Sequence, residues 1–458
     1  MMKNEGYYLG IDLGTSSLKA TLASYDGEII THFVRKCHVI SPHINWTEQD
    51  PNERIKNLKS ILKEIKNEGY SNKILGISFS GQMHGLVILD QDDNPIRPVI
   101  LWNDQRTSKE VDYLNNNIGK DILIEETSNI ALCGFTASKI LWIKNNEPEN
   151  FKRIKKIMLP KDYLSYYLTG IFESDVSDLS GTNLFDIKSN DYSKKMLDII
   201  GLKREQLPKV LKSFDVVGFL KEEIVKKYFL NPKCKIVIGG GDQAVGAIGT
   251  NTIKDNSLFI SLGTSGVVFS SMNKYMVDKK GRIHSFRNAN NTYLLMGCTL
   301  ACCDSLNWWI KDILGKKNVG EEINKIPDAI SEELFLPYLI GERSPINDPF
   351  AKGIFSNLSL KTTKETMIKT VLEGISFSLY DNFLVMKELG LKPLEARVIG
   401  GGSKADRWIQ LLADIFGIKM KRIATNEGAG LGAIILAMVG CGRFSSIEEA
   451  TNKLIKDK

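Results

Sequence analysis

The sequence predicts an α/β protein of two related domains facing each other across a cleft. Three observations carry that expectation. The chain has 458 residues, too many for one ordinary hydrophobic core, so two large domains are the default. The letters Leu13-Gly14-Thr15-Ser16 recur as Leu262-Gly263-Thr264-Ser265, each time between two strand-like apolar runs. An apolar run closing in three glycines also recurs: Val237-Ile238-Gly239-Gly240-Gly241-Asp242 is echoed by Val398-Ile399-Gly400-Gly401-Gly402-Ser403. A repeat whose period is a whole domain points to duplication. The division is placed at 237/238, giving domains of residues 1–237 and 238–458.

Composition narrows the function classes. Hydrophobic residues make up 43% and charged residues 25%, which is ordinary for a globular protein. The net charge is +6, but the charges are scattered, with no basic block and no aromatic-interleaved basic patch. Nucleic acid is therefore not the expected partner. The seven cysteines are odd in number and none forms a C-x-x-C pair. Free thiols in a reducing compartment fit best. Cys298, Cys302 and Cys303 lie close together, but no histidine pattern accompanies them, so core packing is preferred to a metal site. The N-terminus lacks the signature of a signal peptide. The longest apolar run, Leu431 to Val439, is too short to span a bilayer. A cytoplasmic protein without a membrane partner is expected.

The elements follow in order. Tyr7 to Ile11 reads as a strand, Leu18 to Ser24 as a second, and a third starts at Glu28 after the Asp26-Gly27 turn, opening a meander. Between the first two strands lies Asp12-Leu13-Gly14-Thr15-Ser16-Ser17, whose glycine and hydroxyls suit a phosphate and whose carboxylate suits a metal. Taken alone, such a tip is also a plain turn, and no Walker A loop occurs in the chain. Glu53 to Glu68 is a helix on its stripe of Ile55, Leu58, Leu62 and Ile65. The strand Ile74 to Ser80 ends in Gly81-Gln82-Met83-His84-Gly85. After another strand, Leu86 to Leu89, comes Trp102-Asn103-Asp104. Polar clusters after buried strands belong at the carboxyl edge of a sheet, where ligands bind in α/β folds. There His84 and Asp104 could hydrogen-bond a polyol and Trp102 could stack on it. The alternative is a satisfied histidine and a helix-capping aspartate. Asp162 to Leu168 reads as a helix, and Phe172 to Leu184 as a polar loop region, of the kind that lines a site or is simply solvated.

The stretch Ile236 to Gly249 reads as a buried strand, a glycine turn and a closely packed helix. Glycines let backbone approach a ligand, and N–H groups at a helix start suit an anion. Asp242 at the mouth of the turn could take a proton from a hydroxyl or help hold a metal, or it could cap the helix.

Together these residues resemble the FGGY family of carbohydrate kinases. Gly134 through Asn146, with Thr136, Lys139, Trp142, Ile143, Asn145 and Asn146, is similar to the family's first signature. Asp12-Leu13-Gly14-Thr15 and Gly263-Thr264-Ser265 resemble its phosphate hairpins. Gly240-Gly241-Asp242-Gln243 resembles its catalytic-aspartate motif, and Gly400-Gly401-Gly402-Ser403 with Trp408 its nucleotide-side turn. The resemblance covers essentially the whole chain. Gly81-Gln82-Met83-His84-Gly85, Ile100-Leu101-Trp102-Asn103-Asp104, Phe335-Leu336-Pro337-Tyr338 and Gly341-Glu342-Arg343-Ser344-Pro345 are similar to the branch that phosphorylates xylulose. One departure is Asn357, where the second signature usually has glycine; asparagine tolerates the positive φ such a position prefers.

The resemblance implies a duplicated ribonuclease-H-like, actin-like ATPase fold. It implies that Asp242 is the base and that Asp12 orients Mg²⁺, with Asp242 nearby in the metal site. It implies that Met83, His84, Trp102, Asp104, Asp242 and Gln243 meet the sugar. ATP is expected on Gly14, Thr15, Ser16, Gly263, Thr264, Ser265, Gly401, Gly402 and Ser403. D-xylulose phosphorylated at its terminal hydroxyl is the expected reaction, and a homodimer is compatible with it. The rivals are another acceptor (ribulose, gluconate or glycerol) and a nucleotide-gated binder of the same fold without sugar chemistry.

Overall fold

The opening hairpin forms where the sequence alternates apolar runs with a Gly-Thr-Ser tip. Strands Tyr7–Leu13 and Ser17–Ser24 pair antiparallel from Tyr7 opposite Ser24 to Leu13 opposite Leu18. The Gly14 N–H closes the tip on the Ser17 carbonyl at 3.0 Å. The computed structural model of the protein describes residues 6–423 and 428–456. They form two compact units: Met1–Ile253 with Phe286–Thr292 and Glu427–Ile455, and Lys254–Ser285 with Tyr293–Asn426 and Lys456–Lys458.

In the first unit the main sheet runs through Val216–Phe219, Lys235–Val237, Ile74–Gly81, Tyr7–Leu13, Ser17–Ser24 and Ile29–Lys36 in spatial order. The meander half is antiparallel. The Ile74–Gly81 strand lies parallel to the opening strand, with Asp12 opposite Ser80. Gly240–Gly241 adds to that strand's far end, also parallel, with Gly240 opposite Ser80 and Gly241 opposite Gly81. Helix Pro51–Asn67 covers the sheet. The Asp50 carboxylate accepts from the Asn52 N–H at 2.9 Å, and proline occupies the first turn, where its missing donor costs nothing. Its Ile55, Leu58, Leu62 and Ile65 stripe joins Leu9, Ile11, Ile77 and Phe79 in one core, each such side chain contributing roughly 1.5–3 kcal/mol by burial.

The second unit repeats the plan. Its sheet contains, side by side, Tyr293–Thr299, Gly266–Met272, Leu258–Leu262, Glu395–Ile399 and Lys419–Lys421. The first three are antiparallel neighbours, and the last two add parallel to the strand before them. The fold is thus two α/β domains of duplicated ribonuclease-H-like plan.

Two details differ from the sequence expectations. The 237/238 division falls inside the first unit. Helix Asp242–Gly249 packs on helix Gly428–Gly440, and the approach is so close that a Cβ on Gly432 would lie 2.0 Å from the Val245 carbonyl oxygen. That contact ties both helices to the first sheet, where Gly10 meets the Gly430 backbone. The 172–184 stretch is not solvated. It forms a strand (Glu173–Asp175), a helical turn (Val176–Leu179) and a 3-10 turn (Ser180–Thr182), buried almost throughout. Asn357 has φ 61°, the left-handed conformation its glycine-like position calls for. All seven cysteines are free thiols. No helix among the described residues is long and apolar enough to cross a membrane.

Candidate active site

Parallel pairing puts the ends of three strands at one edge of the first sheet. Asp12 lies one residue before the end of the opening strand, opposite Ser80. Asp242 follows Gly241, which sits opposite Gly81. The turn before it needs glycine: Gly239 has φ +75°, and a Cβ there would lie 1.9 Å from the Phe79 carbonyl oxygen. Asp242 is the first residue of its helix, with Gly241 as the N-cap, so it is not the capping residue. It keeps partial contact with solvent. Burial, and then the negative charge of Asp12, push its carboxyl up to about 7, against hydrogen bonds from the Gln243 backbone and side chain. A carboxyl poised near neutrality is suited to accept a proton.

The Gly81–Gly85 stretch forms the wall beside Asp242. Met83 and His84 are both 5% exposed, and a Cβ on Gly241 would lie 2.9 Å from the Met83 side chain. His84 has φ +68°. Its Nδ1 lies 2.7 Å from the Gly181 carbonyl oxygen, an acceptor, so Nδ1 carries the proton. Phe135 stacks on the ring at 4.6 Å. Lys139 Nζ and Thr136 Oγ1 donate to the His84 carbonyl at 2.8 and 3.2 Å. The signature helix Thr136–Asn146 therefore holds the His84 backbone in an unfavourable conformation, a cost of order 1–3 kcal/mol that its surroundings must offset. That clamp joins residues more than 50 positions apart, and only the family resemblance flagged Thr136 and Lys139.

The first tip is less open to a ligand than the sequence implied. Thr15 Oγ1 donates to Gln82 Oε1 at 2.9 Å and accepts from Trp102 Nε1 at 3.0 Å. Gln49 Nε2 donates to the Thr15 carbonyl and Arg54 Nη1 to the Gly14 carbonyl. The Trp102 indole is thus directed at the tip, while Ser16 is exposed. Asp104 is a correction. It is fully buried and accepts from the Thr47 N–H at 2.6 Å and from Arg106 N, Nε and Nη2 at 2.8–2.9 Å. Four donors saturate its oxygens, so it is a structural partner of Arg106 and not a polyol contact.

In the second unit, the Gly263-Thr264-Ser265 tip follows Leu258–Leu262, with Leu262 opposite Gly266. The Gly400–Ser403 turn follows the neighbouring parallel strand, with Ser261 opposite Ile399. Gly400 has φ +88°, and a Cβ there would lie 2.5 Å from the Leu262 carbonyl oxygen. Ser403 Oγ donates to the Gly400 carbonyl at 2.8 Å, so that hydroxyl stabilises the turn. Gly401 is exposed with nothing near its missing Cβ, while Gly402 packs on the Trp408 ring. Trp408 is fully buried and donates Nε1 to Ser376 Oγ at 3.0 Å. Two open glycine turns on adjacent parallel strand ends offer backbone N–H groups to an anion.

Sequence reasoning missed a buried charge cluster in the first unit. Lys161 Nζ, fully buried, lies 2.5 Å from Asp162 Oδ1, 2.9 Å from Asp175 Oδ1 and 3.8 Å from Asp178 Oδ2. The signal was present, since a lysine-aspartate pair opens the Pro160–Thr169 helix and two aspartates stand in the 172–184 stretch, but that stretch read only as a polar loop, site-lining or solvated, with no partner for its carboxylates. The cluster sits under the site: the Lys161 Cβ lies 2.7 Å from where a Gly81 Cβ would be, and the Gly241 N–H donates to Ser177 Oγ at 3.1 Å.

No three His, Cys, Asp or Glu side chains among the described residues group to hold a metal ion. Asp12 and Asp242, close enough for one to raise the pKa of the other, are the carboxylates a cation would relieve. Mg²⁺ is commonly held by one or two carboxylates together with substrate phosphates and water, so the pair fits that ion.

Known proteins are similar to this chain in sequence and fold. Residues 7–249 match the N-terminal domain, and residues 258–441 the C-terminal domain, of the FGGY family of carbohydrate kinases. The chain is 40% identical to a xylulose kinase of Lactococcus lactis subsp. lactis (strain IL1403), over 99% of this chain and 91% of that protein. A ligand-bound xylulose kinase of Lactobacillus acidophilus superposes with TM-score 0.94 at 28% identity, covering 99% of this chain and 93% of the other. A gluconate kinase from the same organism does so with TM-score 0.94 at 27% identity and the same coverage. The chain therefore belongs to the FGGY family of carbohydrate kinases, ATP-dependent enzymes that phosphorylate a small sugar or polyol.

Proposed function

We propose that the acceptor is a ketopentose, D-xylulose, phosphorylated on its terminal hydroxyl to give D-xylulose 5-phosphate. The observation that carries this reading is the Met83-His84 wall beside Asp242. The His84 ring is fixed by Gly181 and Phe135 and its backbone by Lys139 and Thr136. The whole-chain similarity to xylulose kinases supports it. In this mechanism Asp242 accepts the proton of the terminal hydroxyl as that oxygen attacks the γ-phosphorus of ATP and ADP departs. The Gln243 amide holds the Asp242 carboxylate in place. Asp12 and Asp242 would hold Mg²⁺, which when bound would supply positive charge to offset that of the phosphoryl group. The Gly263-Thr264-Ser265 tip and the Gly401-Gly402-Ser403 turn would supply backbone donors for the nucleotide.

The second reading is gluconate, favoured by the equal structural likeness to a gluconate kinase. ATP turnover with D-xylulose, ribulose, gluconate, glycerol and no acceptor separates the readings. The proposal expects the highest kcat/KM on D-xylulose and little acceptor-free hydrolysis. A preference for gluconate, or turnover independent of any acceptor, would overturn it.

A further inference from the structure

The cluster around Lys161 is unevenly satisfied. Asp162 accepts from Lys161 Nζ and, through Oδ2, from Ser174 Oγ at 2.7 Å. Asp175 Oδ2 accepts from the Ser177 N–H at 2.8 Å, Ser177 Oγ at 2.5 Å and Ser213 Oγ at 2.6 Å, while its Oδ1 faces the ammonium at 2.9 Å. Asp178 is fully buried, and neither of its carboxyl oxygens has a hydrogen-bond partner among the described residues. Its nearest ammonium contact, Lys161 at 3.8 Å, is outside hydrogen-bonding distance. A buried polar group left in this state costs free energy unless something else completes it.

The neighbours of Asp178 indicate what completes it. One residue before it, Ser177 accepts from the Gly241 N–H beside Asp242. Three residues after it, Gly181 holds His84 Nδ1, and a Cβ on Gly181 would lie 2.4 Å from the ring. The turn carrying Asp178 thus touches both halves of the wall where the acceptor is read. One ammonium faces three buried carboxyls. Asp162 and Asp175 have the short contacts to it, so Asp178 is the one left to keep a proton. Burial, with the charges of Asp162, Asp175 and Asp242, pushes it well above the usual carboxylate range against the pull of Lys161. A protonated carboxyl offers one donor and one acceptor, the pair a sugar hydroxyl needs.

We propose that Asp178 is a further acceptor-binding residue, whose buried carboxyl completes its hydrogen bonds with a hydroxyl of the polyol substrate. This rests on the sugar-kinase reading of the site but not on which sugar is used. The test compares wild type, Asp178→Ala and Asp178→Asn on D-xylulose and its 1-, 3- and 4-deoxy analogues. If D-xylulose is not turned over, the same comparison runs on the best acceptor of the panel and its deoxy analogues, so failure of the xylulose reading is seen separately. Asp178→Ala is expected to lower kcat/KM for the sugar at least tenfold, mostly through KM, with the KM for ATP changed less than twofold. Its thermal midpoint should be unchanged or higher, because an unsatisfied buried carboxyl has been removed. Asp178→Asn, which keeps the size and both hydrogen-bonding roles, should recover part of the loss. One deoxy analogue should be discriminated by wild type and not by the alanine variant. Equal deoxy penalties in both enzymes would overturn the proposal. So would a lowered midpoint with parallel losses toward sugar and ATP, which would mark Asp178 as a structural counter-ion of Lys161.

Discussion

Replacing Asp242 by asparagine separates chemistry from folding, because the same burial serves one and opposes the other. The carboxyl moves from 3.8 to about 7, first by burial and then by Asp12. At about 1.4 kcal/mol per pKa unit, ionising it in the folded protein costs at most about 4 kcal/mol. Asp242 retains partial solvent contact, so about 1–2 kcal/mol is the expected measurable part. The sign follows from linkage. Between pH 3.8 and about 7 the folded protein holds a proton that the unfolded chain has lost, so this group destabilises the fold progressively as pH rises through that window. Above about pH 7 the full penalty is present; below 3.8 it is gone. Asparagine carries no such penalty. Asp242→Asn is therefore expected to unfold at a higher temperature than wild type at pH 8, with a smaller gap at pH 5. It should bind sugar and MgATP and lose about 10²–10⁴ in kcat, the usual worth of a positioned base. Thermal unfolding at the two pH values, with steady-state kinetics at saturating substrates, reads both effects. Near-normal kcat would refute the base assignment. A variant less stable than wild type at pH 8 would refute the electrostatic account.

Three further outcomes follow from the same geometry. His84→Ala should lower kcat/KM for the sugar by about 10-fold or more, the loss of one buried hydrogen-bonding partner, while the KM for ATP stays within twofold; equal losses on both would remove His84 from the sugar side. Asp12→Asn should raise the Mg²⁺ concentration needed for half-maximal activity, and should move the acidic limb of the kcat/KM profile to lower pH, because the charge that raises the Asp242 pKa is gone. Asp104→Ala should lower the thermal midpoint, since removing one partner of a buried pair costs about 3–5 kcal/mol, without separating sugar KM from ATP KM; a sugar-specific loss would restore Asp104 as a polyol contact.

What was legible in the sequence was local. The tips at Gly14 and Gly263 and the turns at Gly239 and Gly400 are set by glycines and hydroxyls within a few residues, so pattern alone places them between strands. The position of Asp242 after a buried strand follows from the same logic. What was not legible depends on partners far apart in the chain. Asp104 was open between a ligand residue and a helix cap; three of its four donors belong to Arg106, two residues on, but the Thr47 N–H that completes the set is 57 positions away. The stretch Phe172 to Leu184 read as a loop, site-lining or solvated, because acidic residues are ordinarily exposed; Asp175 and Asp178 lie inside with Lys161, more than ten positions upstream. The 237/238 division looked natural because the repeat restarts there, yet the Gly432 contact holds the following helix to the first unit.

The most direct measurement is the identity of the product. Incubation with MgATP and uniformly carbon-13-labelled D-xylulose, followed by carbon and phosphorus NMR, locates the new phosphoester. The account predicts stoichiometric ADP and a single ester at carbon 5, with inorganic phosphate a minor product. Release of inorganic phosphate with the sugar unchanged, or an ester at any other carbon, would contradict it.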